Sequence, residues 1–344
     1  MTSPRALLFP ACLLFLCTLP ATAAPGYRLT PLDDGSSSTM VFDLNRNGEL
    51  VGMRSVDGVT HAFRWRAGTF TDLHDTIDPG STYTQAAGIN DRSAIVGVTL
   101  EGDSFRGFLL HGPQVSAIEA VPGETQVFPF DVNNRGDILV DSVVGGREFS
   151  YLKVGSQVQR LEGLPGETDT LHAVAINEHG DVAGNTRTSG GLRALLWQDG
   201  TVMNLGVVSG AQESFAYDLN CRGAVVGIVN MGGASHAMRW RNGRMVRLPR
   251  LPGEAASGAQ SINNLAVIVG NTTITQPKFR TTATVWIDGH VTELDSLVRA
   301  NDPLRSFVHL QSAEEINDRG DIVAQGVDAR TQAHITYFLR FLDN

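Results

Sequence analysis

The 344-residue chain is 42% hydrophobic and 18% charged, a balance that sets aside disorder and fits one large globular domain or two ordinary ones. Its formal net charge of −9 and pI near 5.4 deny it the positive field a nucleic acid demands, and it has no run of Lys or Arg. Of its three cysteines, Cys12, Cys17 and Cys221, the first two fall in a segment marked for removal, which excludes a disulfide framework and a Cys-rich zinc site in the mature chain.

That segment opens the chain. Arg5 in a short head, an apolar stretch from Ala6 to Leu19, then Pro20 and the small residues Ala21-Thr22-Ala23 read as a secretory signal cut before Ala24. Leu16, not a small residue, precedes Cys17, and Cys12 sits early in the apolar stretch, which argues against lipoprotein processing. Residues 1–23 carry one Arg and no acid, so cleavage takes the net charge from −9 to −10. No later stretch nears the ~20 apolar residues that span a bilayer. The expected product is an exported monomer, residues 24–344, periplasmic or secreted and without a membrane span.

Next comes Leu29-Thr30-Pro31-Leu32, an apolar-x-x-Leu run, and after it the chain repeats. Asn45, Asn90, Asn133, Asn177, Asn220, Asn263 and Asn317 stand in equivalent places at steps of 45, 43, 44, 43, 43 and 54 residues. Each unit holds four short β-type runs and no useful helical periodicity. The first run, as in Ala173 to Asn177 or Ala313 to Asn317, begins with Ala in five of seven units. Small residues suit a crowded axis, so this run is assigned as the innermost strand.

It ends in Asn-x-x-Gly, a type I turn in which Asn bonds the backbone two residues on and Gly supplies positive φ. Ser93 and Ala266 replace that Gly in two units, where a distorted turn is expected. The second run is apolar-Val-Gly, as in Ile95-Val96-Gly97 and Val225-Val226-Gly227. The third is clearest in His61-Ala62-Phe63-Arg64-Trp65 and His236-Ala237-Met238-Arg239-Trp240, and Trp197 and Trp286 recur at the same place. A tight turn at Gly68, Gly200, Gly243 or Gly289 leads to the fourth run, apolar-x-x-Leu, as in Phe70 to Leu73 and Val291 to Leu294.

The last unit stops after its third run, at Phe341-Leu342-Asp343-Asn344, and Leu29 to Leu32 supplies the missing fourth from the other end. The predicted fold is therefore an all-β, seven-bladed β-propeller of four-stranded blades, closed by the N-terminal strand completing the C-terminal blade. Pro31 is tolerated there because an edge strand need not donate every N–H.

The His61-Ala62-Phe63 triplet, the Ile316-Asn317-Asp318-x-Gly320 turn, the Val225-Val226-Gly227 strand and the Gly68-x-x-x-Asp72-Leu73 segment resemble the bacterial exported HAF-repeat proteins. The likeness runs over essentially all of residues 27–340. It implies an extracytoplasmic repeat protein and supplies no catalytic residues.

Strand direction divides such a ring into a uniform rim of Asn-x-x-Gly turns and a variable rim of longer loops, and scaffold loops are where ligand sites are expected. On the variable rim fall His61, Arg106, Arg147, Arg193, His236, Thr282 and His334 at the third run, and Glu124, Glu167 and Glu254 in Pro-Gly-Glu loops. The six His and Arg residues and the three glutamates are the candidate ligand contacts; for each, hydrogen bonding between blades or simple solvation is the competing reading. The segment Asp295 to Ser312 is an insertion, read either as a cover over the channel or as a binding element. Asp43-x-Asn45-x-Asn47-Gly48 has the spacing of a calcium loop, but Arg54 stands where a bidentate Glu is required, so it reads as a turn.

No nucleophile elbow, zinc-protease helix, phosphate loop or dinucleotide fingerprint occurs in the sequence, and no catalytic residue, metal or cofactor is expected. The favoured function is a non-catalytic binding module that presents its variable rim to a protein or cell-envelope glycan. The alternatives are a carbohydrate-active hydrolase or lyase using rim His and Glu, and a structural scaffold.

Overall fold

In the computed structural model, residues 26–32, 39–119, 123–167, 171–274 and 279–343 are described, and the predicted signal lies outside them. The repeating runs form seven four-stranded antiparallel sheets. Six follow chain order. The seventh is completed by Gly26–Pro31, which pairs with Ala333–Leu342 in the register Tyr27 to Phe341 and Leu29 to Leu339. The propeller and its closure are thus as the repeats predict.

Each first strand carries one extra residue ahead of its Asn turn, for example between Val41 and Asp43, Ala86 and Gly88, and Ala216 and Asp218. Such a bulge bends the strand and reverses the face presented by the residues beyond it. It also explains the Val-Gly motif. A Cβ placed on Gly52, Gly97, Gly227 or Gly270 would lie only 1.9 to 2.1 Å from a first-strand carbonyl oxygen.

Hydrophobic core fills the slots between neighbouring blades. Val51, Ala62 and Leu73 of one blade pack on Ala86, Ile95 and Phe108 of the next. Trp65, Trp197, Trp240 and Trp286 share one register, facing Leu50, Val182, Val225 and Ile268 across the sheet. All four are buried, and each contributes roughly 4 to 6 kcal/mol of transfer free energy. The middle Ala of the His-Ala-Phe triplet is buried too, and its N–H donates into the next blade: Ala62 to Thr84 Oγ1 at 2.9 Å, Ala237 to Ser257 Oγ at 2.9 Å.

The seven asparagines form a closed circuit. Each Oδ1 accepts the N–H groups two and four residues on, as Asn220 does from Arg222 and Ala224. Each Nδ2 donates to the carbonyl of the next blade's asparagine at 2.9 to 3.3 Å, and Asn317 returns to Asn45. The expected distortion at Ser93 and Ala266 does not occur. Both take the left-handed conformation, φ +59° and +64°, and keep the turn bond to Asn90 and Asn263 at 3.0 Å.

The insertion does not cover the channel. It forms a short 3-10 helix, Leu294–Leu297, then lies along the free edge of the N-terminal strand. Arg299 N–H donates to Tyr27 O at 3.0 Å, and the Leu29 N–H donates to the buried Asp302 Oδ2 at 2.9 Å. Val298, Leu297 and Leu304 pack into the core of the last blade. The extra residues stitch the seam where the two ends of the chain meet.

Candidate functional site

The first strands surround an axial channel. At the turn rim its mouth is a cavity of about 180 Å³ ringed by the asparagine turns and the residues after them. Those residues are committed to one another. Arg46 N–H donates to Asp91 Oδ1 at 2.8 Å, Asp91 N–H to Asn134 Oδ1 at 2.8 Å, and Asn264 N–H to Asp318 Oδ1 at 2.8 Å. Cys221 sits in the same circuit, its N–H on Asn264 at 2.7 Å, and burial pushes its thiol pKa up, away from thiolate chemistry.

Below this mouth the bulges turn two residues per strand toward the axis. The extra residues Phe42, Ala87, Phe130, Val174, Tyr217 and Gln260 line the channel, as does Glu314 in the last blade. Immediately after them, Asp43, Asp131, Asp218 and Glu315 bring four carboxylates to a waist of about 130 Å³. These are the first, third, fifth and seventh blades; Gly88, Ala175 and Ser261 hold the place in the others. No Lys, Arg or His lines the waist among the described residues.

Asp43 Oδ2 accepts Ile89 N–H at 2.6 Å, Asp131 Oδ2 accepts Ile176 N–H at 2.9 Å, and Asp218 Oδ2 accepts Ile262 N–H at 2.8 Å and the Ser261 hydroxyl at 2.9 Å. Burial, reinforced among Asp43, Asp131 and Glu315 by nearby carboxylates, raises these groups. Asp43 and Asp218 rise to about 6, Asp131 to about 8, and Glu315 goes well above its usual range. With Asp43 bound to the next blade and Asn45 Oδ1 filled by its own turn, the calcium-loop spacing has no converging oxygens, in keeping with the turn reading.

Toward the variable rim the channel widens to a mouth of about 450 Å³ lined by Met40, Val41, Phe42, Val174, Tyr217, Gln260, Glu314, Glu315 and Gln325. Met40 is 52% exposed. An apolar and aromatic collar therefore stands over an acidic floor.

The residues singled out from sequence lie elsewhere; none lines the channel cavities. His61 Nδ1 bonds Asp72 Oδ2 at 2.8 Å, with Arg54 on the same oxygen at 3.3 Å. Its ring stacks at 4.0 Å on His74, which reaches Thr84 of the next blade at 3.0 Å. Burial pushes the Asp72 carboxyl up, but the bonds from His61, the His74 N–H and Arg54 outweigh it and hold the pKa below the usual value. Arg193 holds the Gly190 and Leu192 carbonyls of its own hairpin and reaches the Gln212 carbonyl on the segment leading into the next blade. His236 is buried beside Arg250 at 3.4 Å, and burial together with that charge lowers its pKa. Arg106 makes an exposed pair with Glu101 at 3.3 Å.

Two members of the supposed ring are out of register. His61 faces Arg54; the equivalent pairs are Phe149 with Ser142 and Ile335 with Gly326. Arg147 thus lies two residues early at an exposed strand end, and His334 one residue early on the opposite face. Of the Pro-Gly-Glu glutamates, Glu167 accepts Ser189 N–H at 3.2 Å. Glu124 is half-buried with neither carboxylate oxygen bonded among the described residues, and Pro122 lies outside them. Glu254 has a side chain only 1% exposed.

The fold and channel define a seven-bladed propeller with an acidic axis. No protein-family model matches the chain, and no curated protein matches its sequence. Solved structures do match in shape. One of two prolyl endopeptidases analysed for inter-domain dynamics in catalysis superposes with TM-score 0.57 and 10% identity over 93% of this chain and 51% of that enzyme. YCF48 bound to a D1 peptide gives 0.50 and 12% over 95% of this chain and all of that one. A puromycin-hydrolyzing peptidase of Mycobacterium tuberculosis gives 0.52 and 12%, covering 93% and 56%. The chain spans about half the length of the two peptidases. At these identities the likeness is one of fold.

Proposed function

We propose that this chain is an exported binding propeller whose variable-rim channel mouth receives an extended segment of a partner protein carrying a Lys or Arg. The observation that carries this reading is the waist of Asp43, Asp131, Asp218 and Glu315 beneath the Met40, Phe42 and Tyr217 collar, with no basic residue among the described residues lining it. A partner's cation supplies the charge that burial otherwise forces these carboxyls to neutralise by protonation, and the collar takes the aliphatic stem of the same side chain. That YCF48 has been solved with a bound peptide supports a propeller of this shape serving such a role. Export rests on the signal-like first 23 residues.

A hydrolase reading would use Asp131, the most raised aspartate, as proton donor. Both its oxygens are already occupied by backbone N–H groups of Val132 and Ile176, which favours the binding reading. The test is an array of extended peptides, each with a central Lys, Arg or Ala, probed with residues 24–344. Retention of the cationic peptides, weakened by Glu315→Gln and by Tyr217→Ala, is the expected result. Equal retention of the Ala peptides, preference for glycans, or turnover of a substrate would sink it.

A further inference from the structure

Among the described residues, one group of side chains able to hold a metal lies outside the channel, at the variable rim between the sixth and seventh blades. Glu293 ends the strand His290–Glu293, Asp295 sits in the 3-10 helix Leu294–Leu297, and His309 is near the start of Val308–Ile316. Their ligand atoms all fall within 4.8 Å of one another. Asp295 is held in place, with Oδ1 accepting Leu310 N–H at 3.0 Å and Oδ2 on His309 Nδ1 at 2.8 Å. Glu293 makes no side-chain hydrogen bond among the described residues.

A second observation comes from the neighbouring loop. The Glu254 side chain is 1% exposed, its Oε2 has no hydrogen-bond partner among the described residues, and the Arg280 guanidinium stands 4.0 Å from the other oxygen. Burial raises its pKa, and the charge of Glu293 adds to that. The Arg280 charge acts on both Glu254 and His309, which places the Glu254 loop beside the cluster. Native proteins rarely leave a buried carboxylate oxygen unpartnered, and here the surplus is negative and converges beside an imidazole.

We infer that Glu293, Asp295 and His309 bind a divalent transition-metal ion of the zinc class, with Glu254 as the buried carboxylate behind it. One imidazole and two carboxylates form a donor set suited to such an ion, which sits about 2.0 to 2.2 Å from each ligand atom. The ion takes the place of the proton shared by Asp295 and His309. It fastens the outer strand of the sixth blade to the inner strand of the seventh, drawing together the two ends of the insertion that stitches the ring closed.

The test is zinc titration calorimetry and thermal melting of residues 24–344 purified through a chelator. One equivalent of Zn²⁺ binds and raises Tm by a few degrees. Glu293→Gln, which gives up no hydrogen bond, and His309→Ala both abolish binding and the shift, while His334→Ala, at an exposed imidazole, keeps them. Absence of a zinc-dependent shift in the unsubstituted protein, or binding that survives both ligand substitutions, or loss of binding in His334→Ala alone, overturns the inference.

Discussion

At the turn rim every blade uses its asparagine in the same way, and the circuit Asn45 to Asn317 closes on itself without a gap. At the variable rim a third-strand N–H bonds a hydroxyl of the next blade at several junctions, but the charged groups differ from one junction to the next. His61 and His74 stack across one, the Arg193 guanidinium bridges another, and the residues 295–312 clasp the ring's seam. Repetition therefore marks the groups that hold blade to blade, and departure from it marks sites where chemistry differs locally. Between the rims lies the waist, which combines both: every first strand bulges, but only alternate blades supply a carboxylate.

The waist gives the largest expected effect, through pH. Asp43, Asp131 and Asp218 are raised in the fold to about 6, 8 and 6, whereas in the unfolded chain aspartates titrate near ~3.9. The unfolded state thus loses protons that the native state keeps. Stability is full below about pH 4 for these groups and is lost as pH climbs through the folded values toward about 8. Melting temperature should fall from about pH 5 to about pH 8, and Asp131→Asn should flatten the upper part of that slope. A flat or rising profile breaks the picture of a protonated waist.

Next in size is a change at the bulge. Gly227→Ala puts a methyl 2.0 Å from the Phe215 carbonyl oxygen, which the strand relieves only by losing its bulge or its pairing, at roughly 3 to 5 kcal/mol. Denaturant titration measures this. Asn220→Ala, on the turn rim, forfeits the bond to Asn263 O at 3.0 Å and leaves the Arg222 and Ala224 N–H groups without their acceptor. Its cost is roughly 2 to 3 kcal/mol. A loss below about 0.5 kcal/mol would show that the asparagine circuit is not what joins the blades.

The fold was legible because a 43- to 45-residue spacing with a fixed turn leaves few architectures open, and Leu29 to Leu32 supplied the one missing strand. The channel was not. Alternation assigns faces by parity, and the extra residue at each bulge reverses parity ahead of the turn, so Asp43 reads as part of a turn motif although it, like Asp131 and Asp218, faces the axis. Their signal was present as an acid two residues before Asn in alternate units. Arg147 and His334 were placed by residue type, while hairpin length decides register, and Phe149 and Ile335 occupy the place instead. Ser93 and Ala266 keep their turns because the Asn side-chain bonds fix the backbone whichever residue follows.

The smallest effect is expected where sequence alone drew attention first. Arg106 and Arg193 hold the same register, opposite Thr99 and Thr186, yet their surroundings differ. Among the described residues Arg106 reaches only Glu101, at 3.3 Å with side chains 50% and 73% exposed, and exposed pairs of this kind contribute ~0 to 1 kcal/mol. Arg193 holds three carbonyls, one of them on the segment leading into the next blade. Arg106→Ala should change stability by less than about 0.5 kcal/mol and leave peptide retention untouched, while Arg193→Ala should cost about 1 to 2 kcal/mol. Paired denaturant melts separate them. A large loss of peptide binding in Arg106→Ala would move the contact surface from the channel mouth to the outer rim.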